Sequence, residues 1–200
     1  LCLDSEAATA TALRLARAVD DGDDAFRRLA TTVSKYWICK STPPLVAEAL
    51  ECLGGNGYVE DSVLPRLYRE SPLNSLWEGA GNVNALDLWR AVERDPESVG
   101  ALLAEIELAA GADAKLDAAG ERLRRELEEQ EDAEHRARRV AELAALCLQG
   151  SLLVRHAPPE VADAFCTTRL DAAGGRSYGT LPRGIDCDAI VERHRPQVDG

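Results

Sequence analysis

Hydrophobic residues recur along the chain at intervals of three and four, the period of an α-helix, and the alternation typical of strands is almost absent. Besides a short helix at 65–70, the pattern predicts helices at 5–20, 25–40, 44–53, 82–94, 96–110, 112–139, 140–154, 160–172 and 188–194. Polar breaks, Pro-Pro pairs and glycines separate these segments. Long helices joined by short turns predict an all-α fold, an antiparallel helical bundle.

Residues 54–80 contain little helical periodicity and are punctuated by glycine and proline. Gly54, Gly55 and Gly57 follow the end of a predicted helix, not a strand, and they do not open a helix in the way that the glycines of a phosphate-binding loop do. This context excludes a P-loop or a dinucleotide-binding fingerprint. Glycines at such a place still allow the backbone to approach a ligand or another chain closely.

Composition narrows the class of protein. The 200 residues are 46% hydrophobic and 29% charged, which is too apolar for a disordered protein. No apolar run reaches the roughly 18–20 residues that span a bilayer, so no membrane segment is predicted. With 23 basic and 35 acidic side chains, the net charge is −12, which disfavours a nucleic-acid-coating protein and leaves a local basic patch open.

The six cysteines form no C-x-x-C pair and no histidine stands at zinc-ligand spacing, so no metal site is predicted. Reduced thiols are typical of a cytoplasmic protein. The sequence contains no methionine and no signal-peptide pattern at its start. Because helical periodicity is already present there, we expect the sequence to begin inside a helix of a longer protein.

Glu78 is the candidate catalytic side chain. It lies between bulky Trp77 and flexible Gly79, immediately before a predicted helix. A carboxylate beside an indole tends to lose its hydration, which raises its pKa and suits a general base. The alternative is that Glu78 caps or charges the N-terminus of the following helix. Composition alone leaves both interpretations open.

Three motifs around Glu78 together resemble the C-terminal helical domain of the acyl-CoA dehydrogenases. They are Leu-Gly-Gly-Asn-Gly-Tyr at 53–58, Leu-Tyr-Arg-Glu at 67–70 and Trp-Glu-Gly at 77–79, in the order and spacing of that family. Lys-Tyr-Trp-Ile-Cys-Lys at 35–40 and the tryptophan before the glutamate resemble the AidB-like branch, the adaptive response flavoproteins. The resemblance implies a C-terminal-type bundle at 1–94 and an AidB-like helical extension at 95–200.

In the family that the motifs resemble, the glutamate matching Glu78 removes the α-proton of an acyl-CoA thioester, and the β-hydrogen leaves as hydride to N5 of FAD. The resemblance places Trp77 and Gly79 in the substrate pocket. It also implies homo-oligomers, dimers or tetramers, because one candidate segment approaches the FAD of a neighbouring subunit. The cofactor-binding positions that it implies are Glu51, Gly54, Gly55, Ala80 and Asn82.

Three positions depart from the usual pattern of the family. Glu51 stands where glutamine is common, which places a negative charge near the pyrophosphate. Ala80 stands where a hydroxyl residue is common, and Trp77 is larger than the usual tyrosine. These departures weaken the expectation of efficient acyl-CoA turnover. Without the family's N-terminal helical domain and β-domain, we expect the isolated chain to be inactive.

Two other functions remain open at this stage. One is AidB-type DNA binding in the response to DNA alkylation, with a weak or vestigial dehydrogenase site; Glu126 and its acidic neighbours count against it. The other is a structural role in packing subunits together. The candidate DNA contacts are Arg122, Arg125, Arg136 and Arg139, with Arg155 and Arg169 as further basic candidates.

Overall fold

The structure, a computed structural model, describes residues 1–171 and 173–197 as α-helices joined by short turns, with no strand in these ranges. This confirms the all-α prediction. A 3₁₀ segment, Ser71–Ser75, and a π-helical turn, Cys166–Leu170, complete the regular structure. The helices are α1 Cys2–Asp20, α2 Asp24–Cys52, α3 Gly55–Tyr58, α4 Leu64–Glu70, α5 Gly81–Arg94, α6 Pro96–Glu107, α7 Ala114–Glu128, α8 Ala133–His156, α9 Pro159–Phe165 and α10 Cys187–Arg193.

The predicted break at Thr42-Pro43-Pro44 is wrong, because α2 continues through both prolines. Each proline lacks the N–H that would bond the carbonyl four residues earlier. The hydroxyls of Ser41 and Thr42 reinforce the turn before the prolines, because they donate to the carbonyls of Trp37 and Ile38 at 2.9 and 2.6 Å. Packing of α2 against α4 and the 3₁₀ segment holds its second half in line with the first.

The predicted boundary between helices at 139/140 is also wrong. The chain breaks at residues 129–132, between α7 and α8, where Asp132 adopts a left-handed backbone with φ of 52°. An acidic run, including Glu128, Glu129 and Glu131, makes continuation of one helix unfavourable there by like-charge repulsion. The basic and apolar residues that follow therefore belong to one long helix, α8.

Smaller differences occur at the helix ends. The predicted helix 96–110 ends at Glu107, and the predicted helix 160–172 gives way to the π turn after Phe165. Its predicted last residue, Ala172, lies outside the described residues. The four-residue helix α3 is a single turn that the glycine-rich sequence did not predict.

Helix α8 forms the centre of the molecule. Apart from half-buried Glu142, every residue from Val140 to Leu153 is buried, and the helix packs against α1, α2, α5, α6, α7 and α9. A helix that is apolar on all sides must be enclosed by its neighbours. The later part of the chain thus supplies the central helix against which α1, α2 and α5 of the earlier part are packed. No helix in the described ranges has the length and apolarity needed to cross a membrane.

A buried carboxylate joins three of these helices. Glu105 of α6 is only 7% exposed, and its two oxygens accept hydrogen bonds from Arg14 of α1 at 2.8 Å and Arg155 of α8 at 2.6 Å. Arg14 also lies over the ring of Phe26, 3.9 Å from its centroid. Burial of Glu105 acts to raise its pKa, and the two arginines outweigh that effect, so the pKa is lowered.

Replacing Glu105 with Gln is expected to lower the free energy of unfolding by about 2–3 kcal/mol, because two partly buried guanidinium groups lose their counter-charge. This is less than the cost for a fully buried pair, since Arg14 and Arg155 are each 19% exposed. Urea unfolding followed by circular dichroism at pH 7 measures the change.

The matched control is Glu107→Gln on the same helix, which removes an exposed ion pair with Arg124 and is expected to cost less than about 1 kcal/mol. Because the folded pKa of Glu105 is lowered, its contribution is complete above the unfolded carboxyl pKa of about 4.3 and is lost as pH falls through the folded value. The difference in the free energy of unfolding between wild type and Glu105→Gln should therefore become smaller at acidic pH. Equal losses for the two variants would contradict this role of Glu105.

Candidate functional site

Glu78 lies on a short loop between the 3₁₀ segment and α5, in an unusual backbone conformation. Its φ is 54°, and the following Gly79 has φ of 101°. A residue with a Cβ pays roughly 1–2 kcal/mol in the left-handed region. Such conformations persist where the surroundings hold them, and they cluster at functional sites.

Helix α2 holds this loop from one side. The ammonium of Lys35 donates to the carbonyl oxygen of Trp77 at 2.7 Å and also to that of Gly79. The side-chain amide of Asn84, on α5, donates to the same Gly79 oxygen at 2.7 Å. Hydrogen bonds from a charged donor contribute about 1.5–3 kcal/mol each, enough to offset the strain at Glu78.

The side chain of Glu78 is exposed, which corrects the expectation that the adjacent indole removes its water. Trp77 is itself 57% exposed, because the turn at Glu78 places the two side chains at the surface. Among the described residues Glu78 takes part in no hydrogen bond and no ion pair. Helix α5 begins at Gly81, and its N-cap residue Ala80 provides no side-chain cap; Glu78 does not cap the helix either. The carboxylate of Glu78 is therefore unpaired among the described residues and open to solvent.

The first group of predicted cofactor positions lies at the end of α2. Glu51, Gly54 and Gly55 are all exposed. Gly54 has φ of 56°, and a Cβ added to either glycine would meet nothing within 4 Å. The peptide backbone is open here to a close approach, and the carboxylate of Glu51 is exposed beside it.

The second group lies at the N-terminus of α5. Ala80 and Asn82 are exposed, and the first N–H groups of α5 have no side-chain acceptor. The side-chain oxygen of Asn82 accepts a hydrogen bond of 2.7 Å from Arg138 of α8. Sequence reasoning did not foresee this contact, nor those of Lys35 and Asn84.

A set of large apolar side chains surrounds these positions at the surface. Such a concentration marks a surface that contacts another polypeptide or a ligand. The members, each at least 46% exposed, are Leu53, Tyr58, Val59, Val63, Leu67, Tyr68, Leu73, Leu76, Trp77 and Val83.

A cavity of about 760 Å³ lies elsewhere in the described residues. It is enclosed by the start of α1, the second half of α2, α8, α10 and the glycine-rich loop around Tyr178. None of the predicted site residues lines it. Half-buried Glu142 does, and burial raises its pKa.

The four arginines predicted to contact DNA do come together. Arg122, Arg125, Arg136 and Arg139 line one shallow depression of about 380 Å³, together with two glutamates. Glu126 occupies two of these arginines, since it pairs with both Arg136 and Arg139. Burial of Glu126 acts to raise its pKa, and the two arginines outweigh this and lower it.

The remaining basic candidates differ in whether they are paired with a carboxylate. Arg122 donates to the carbonyl of Leu170 and Arg125 takes part in no ion pair among the described residues, so both keep their charge available. Arg155 and Arg169 instead form ion pairs within the fold, with Glu105 and Asp4. The prediction that these two arginines belong to a basic surface is therefore wrong.

Comparison with known proteins agrees with the motifs. Residues 1–93 match the family described as acyl-CoA dehydrogenase, C-terminal domain. The putative acyl-CoA dehydrogenase AidB of Escherichia coli (strain K12) is 40% identical over 179 residues, which are 88% of this chain and 33% of AidB. Acyl-CoA dehydrogenase family member 11 of Caenorhabditis elegans is 41% identical over 85 residues, 42% of this chain and 14% of that protein.

Two solved structures are similar in fold. Caenorhabditis elegans ACDH-11 in complex with C11-CoA gives a TM-score of 0.71 at 26% identity, over 84% of this chain and 34% of that one. The apo-form of Bd2924 gives a TM-score of 0.64 at 26% identity, over 82% and 31%. The chain spans about a third, or less, of the length of the relatives it matches.

Replacing Glu78 with Gly is expected to raise the free energy of unfolding by about 0.5–1 kcal/mol. Relief of a left-handed backbone is worth about 1–2 kcal/mol and exceeds the extra backbone entropy of glycine, about 0.5–1 kcal/mol. Denaturant unfolding measures the difference. Glu78→Ala, which keeps a Cβ, is the control and should not stabilise; equal stability of the two variants would show that the backbone is unstrained.

Proposed function

Residues 1–93 belong to the acyl-CoA dehydrogenase family as its C-terminal domain, and from this premise we propose that the chain supplies the catalytic base and part of the cofactor surface of an FAD-dependent acyl-CoA dehydrogenase. The observation that carries the proposal is Glu78 itself. Its carboxylate is unpaired, it is held at positive φ, and it stands within the matched Trp-Glu-Gly motif. It stands two residues before the N-cap of α5, and its side chain does not cap that helix.

The substrate class follows from the same comparison. The AidB relative is described as a putative acyl-CoA dehydrogenase, and the ACDH-11 structure holds C11-CoA. An acyl-CoA thioester is therefore the proposed substrate. Trp77 and Gly79, on either side of the base, form part of the wall that the acyl chain would contact.

The chemical task of Glu78 is proton transfer. Its carboxylate removes a proton from the carbon next to the thioester carbonyl, and a carbon–carbon double bond forms as a hydride leaves the next carbon. FAD, when bound, supplies the hydride acceptor. Because Lys35 and Asn84 fix the loop, the carboxylate is held in position before the substrate arrives, which is what general-base catalysis requires.

The residues present fit an FAD on this face. The uncapped N-terminus of α5 at Ala80 directs backbone N–H groups to the surface, an arrangement that suits a phosphate. The open backbone at Gly54 and Gly55 suits close contact with a flavin nucleotide held by a neighbouring copy. Glu51 lies at the surface, where its charge can turn away from the pyrophosphate.

A homo-oligomer, dimer or tetramer, belongs to the same proposal. The exposed apolar side chains between Leu53 and Val83 surround the positions assigned to FAD. A second polypeptide would cover these side chains and complete the proposed flavin site. A cytoplasmic location is proposed as well; all six cysteines are free thiols, as expected in a reducing compartment.

Replacing Glu78 with Gln, in the whole translation product of the gene, is expected to lower acyl-CoA-dependent dye reduction by about 10²–10⁴-fold, because the amide cannot take the proton. FAD content, read from the flavin absorbance, should be unchanged. Glu70→Gln is the control, an exposed acid on α4 whose one ion-pair partner in the described part of the chain is Arg66. Unchanged turnover in Glu78→Gln would remove the role of Glu78 as base.

A second function, binding to the phosphate backbone of DNA, is favoured by one observation. Arg122 and Arg125 line the same depression and neither is paired with a carboxylate among the residues described. Against it stand the net charge of −12 and the pairing of Arg136 and Arg139 with Glu126. This function would be AidB-type protection against alkylation, with a weak dehydrogenase site.

If DNA binds here, two unpaired arginines should release about two counterions, so log K against log salt should slope by about −2. Duplex-binding titrations at about 50 and 200 mM salt measure this. Arg122→Glu combined with Arg125→Glu should abolish the binding, and the exposed pair Arg17→Glu with Arg27→Glu is the control. Absence of binding at low salt, or of any slope, would exclude it.

A further inference from the structure

We propose that Lys35 is the positioning residue for Glu78: its ammonium fixes the two carbonyls that flank the base and thereby holds the carboxylate in its reactive place. The proposal rests on the proposed function, in that Glu78 is taken to be the base. It goes further by assigning a role to a side chain 43 positions away on another helix.

The geometry at Lys35 is specific to the loop. One ammonium bonds the carbonyl oxygens of Trp77 and Gly79, the residues immediately before and after Glu78. The peptide before Glu78 and the peptide after Gly79 are thus tied to the same point on α2. With the chain held on both sides of this two-residue segment, residue 78 keeps the positive φ that directs its side chain outward.

Lys35 can act as a fixed reference because its helix is anchored in the core. Phe26, Leu29, Val33 and Tyr36, at helical spacing on α2, are all buried. Lys35 stands next to Tyr36, half-buried at the rim of this packing. The loop that Lys35 bonds is therefore held in place by the rigid core and not by the surrounding surface.

The second donor, Asn84, constrains the loop less than Lys35 does. Among the described residues the side-chain amide of Asn84 bonds only Gly79, and it does so from α5, five residues away along the chain, so it moves with the loop itself. Lys35 is the donor on the carbonyl of Trp77 and the contact that joins the loop to another part of the fold. Loss of Lys35 should therefore release the loop even when Asn84 is present.

The experiment compares three variants of the chain by amide hydrogen exchange with mass spectrometry. Lys35→Met removes the donors and keeps the length of the side chain, and Lys35→Arg keeps both charge and donors. Lys40→Met is the matched control, since Lys40 is exposed on the same helix and makes no hydrogen bond or ion pair among the described residues. The amides to follow are those of Trp77 and Asn84, which bond Leu73 and Ala80.

We expect Lys35→Met to speed exchange at these two amides at least tenfold, with α8 unchanged as evidence that the fold is intact. Lys40→Met should leave them as in wild type, and Lys35→Arg should restore most of the protection. Equal exchange in Lys35→Met and Lys40→Met would overturn the proposal, because the loop would then hold its shape without Lys35.

Kinetics in the whole translation product give the second measurement. Lys35→Met should lower kcat at least tenfold and leave KM within twofold, because the base is displaced and the binding surface remains. A loosened loop with unchanged kcat would overturn the positioning role. If Glu78→Gln has no effect on turnover, the proposed function fails instead, and the exchange data still decide whether Lys35 holds the loop.

Discussion

The junction at Glu105 determines how the parts of this chain are arranged. Its carboxylate binds Arg14 from α1 and Arg155 from α8, so a helix of the family-matched region and the central helix of the later region are fastened to the same point on α6. Hydrogen bonds weaken steeply away from their preferred distance and angle, so two charged pairs with little access to water tolerate few geometries. The burial of α8 among α1, α2 and α5 sets the positions of the loop and the helix end that carry the candidate site.

Helical periodicity was sufficient to predict most of the helices, and two failures show its limits. Pro43 and Pro44 normally end a helix, yet Ser41 and Thr42 bond the preceding turn and tertiary packing carries α2 past them. The break at residues 129–132 was missed because the polar surface of α7 and the first turns of α8 share the same charged pattern. The local sequence does not indicate which of two neighbouring helical turns is buried by the rest of the molecule, so it does not place the boundary between α7 and α8.

At the candidate site the motifs identified Glu78, and its surroundings had to come from the structure. The sequence places an indole beside the acid, but a left-handed backbone at residue 78 exposes both side chains. Lys35 stands in the motif at 35–40, but neither it nor Asn84 signals its contact with the loop, since their partners are backbone carbonyls, which every residue possesses. Side chains that act on the main chain of a distant loop are invisible to motif reasoning because no particular partner residue is required.

The hydrogen bond from Arg138 to Asn82 has a consequence for how this chain can be dissected. Arg138 stands on the first turns of α8, beyond the family-matched residues, whereas Asn82 lies on the turn assigned to the flavin. A chimera that joined residues 1–94 to the tail of another relative would lose this tether unless the incoming helix offered a donor at the same place. Recombination at that junction would thus disturb the neighbourhood of the proposed flavin site without altering a single residue of it.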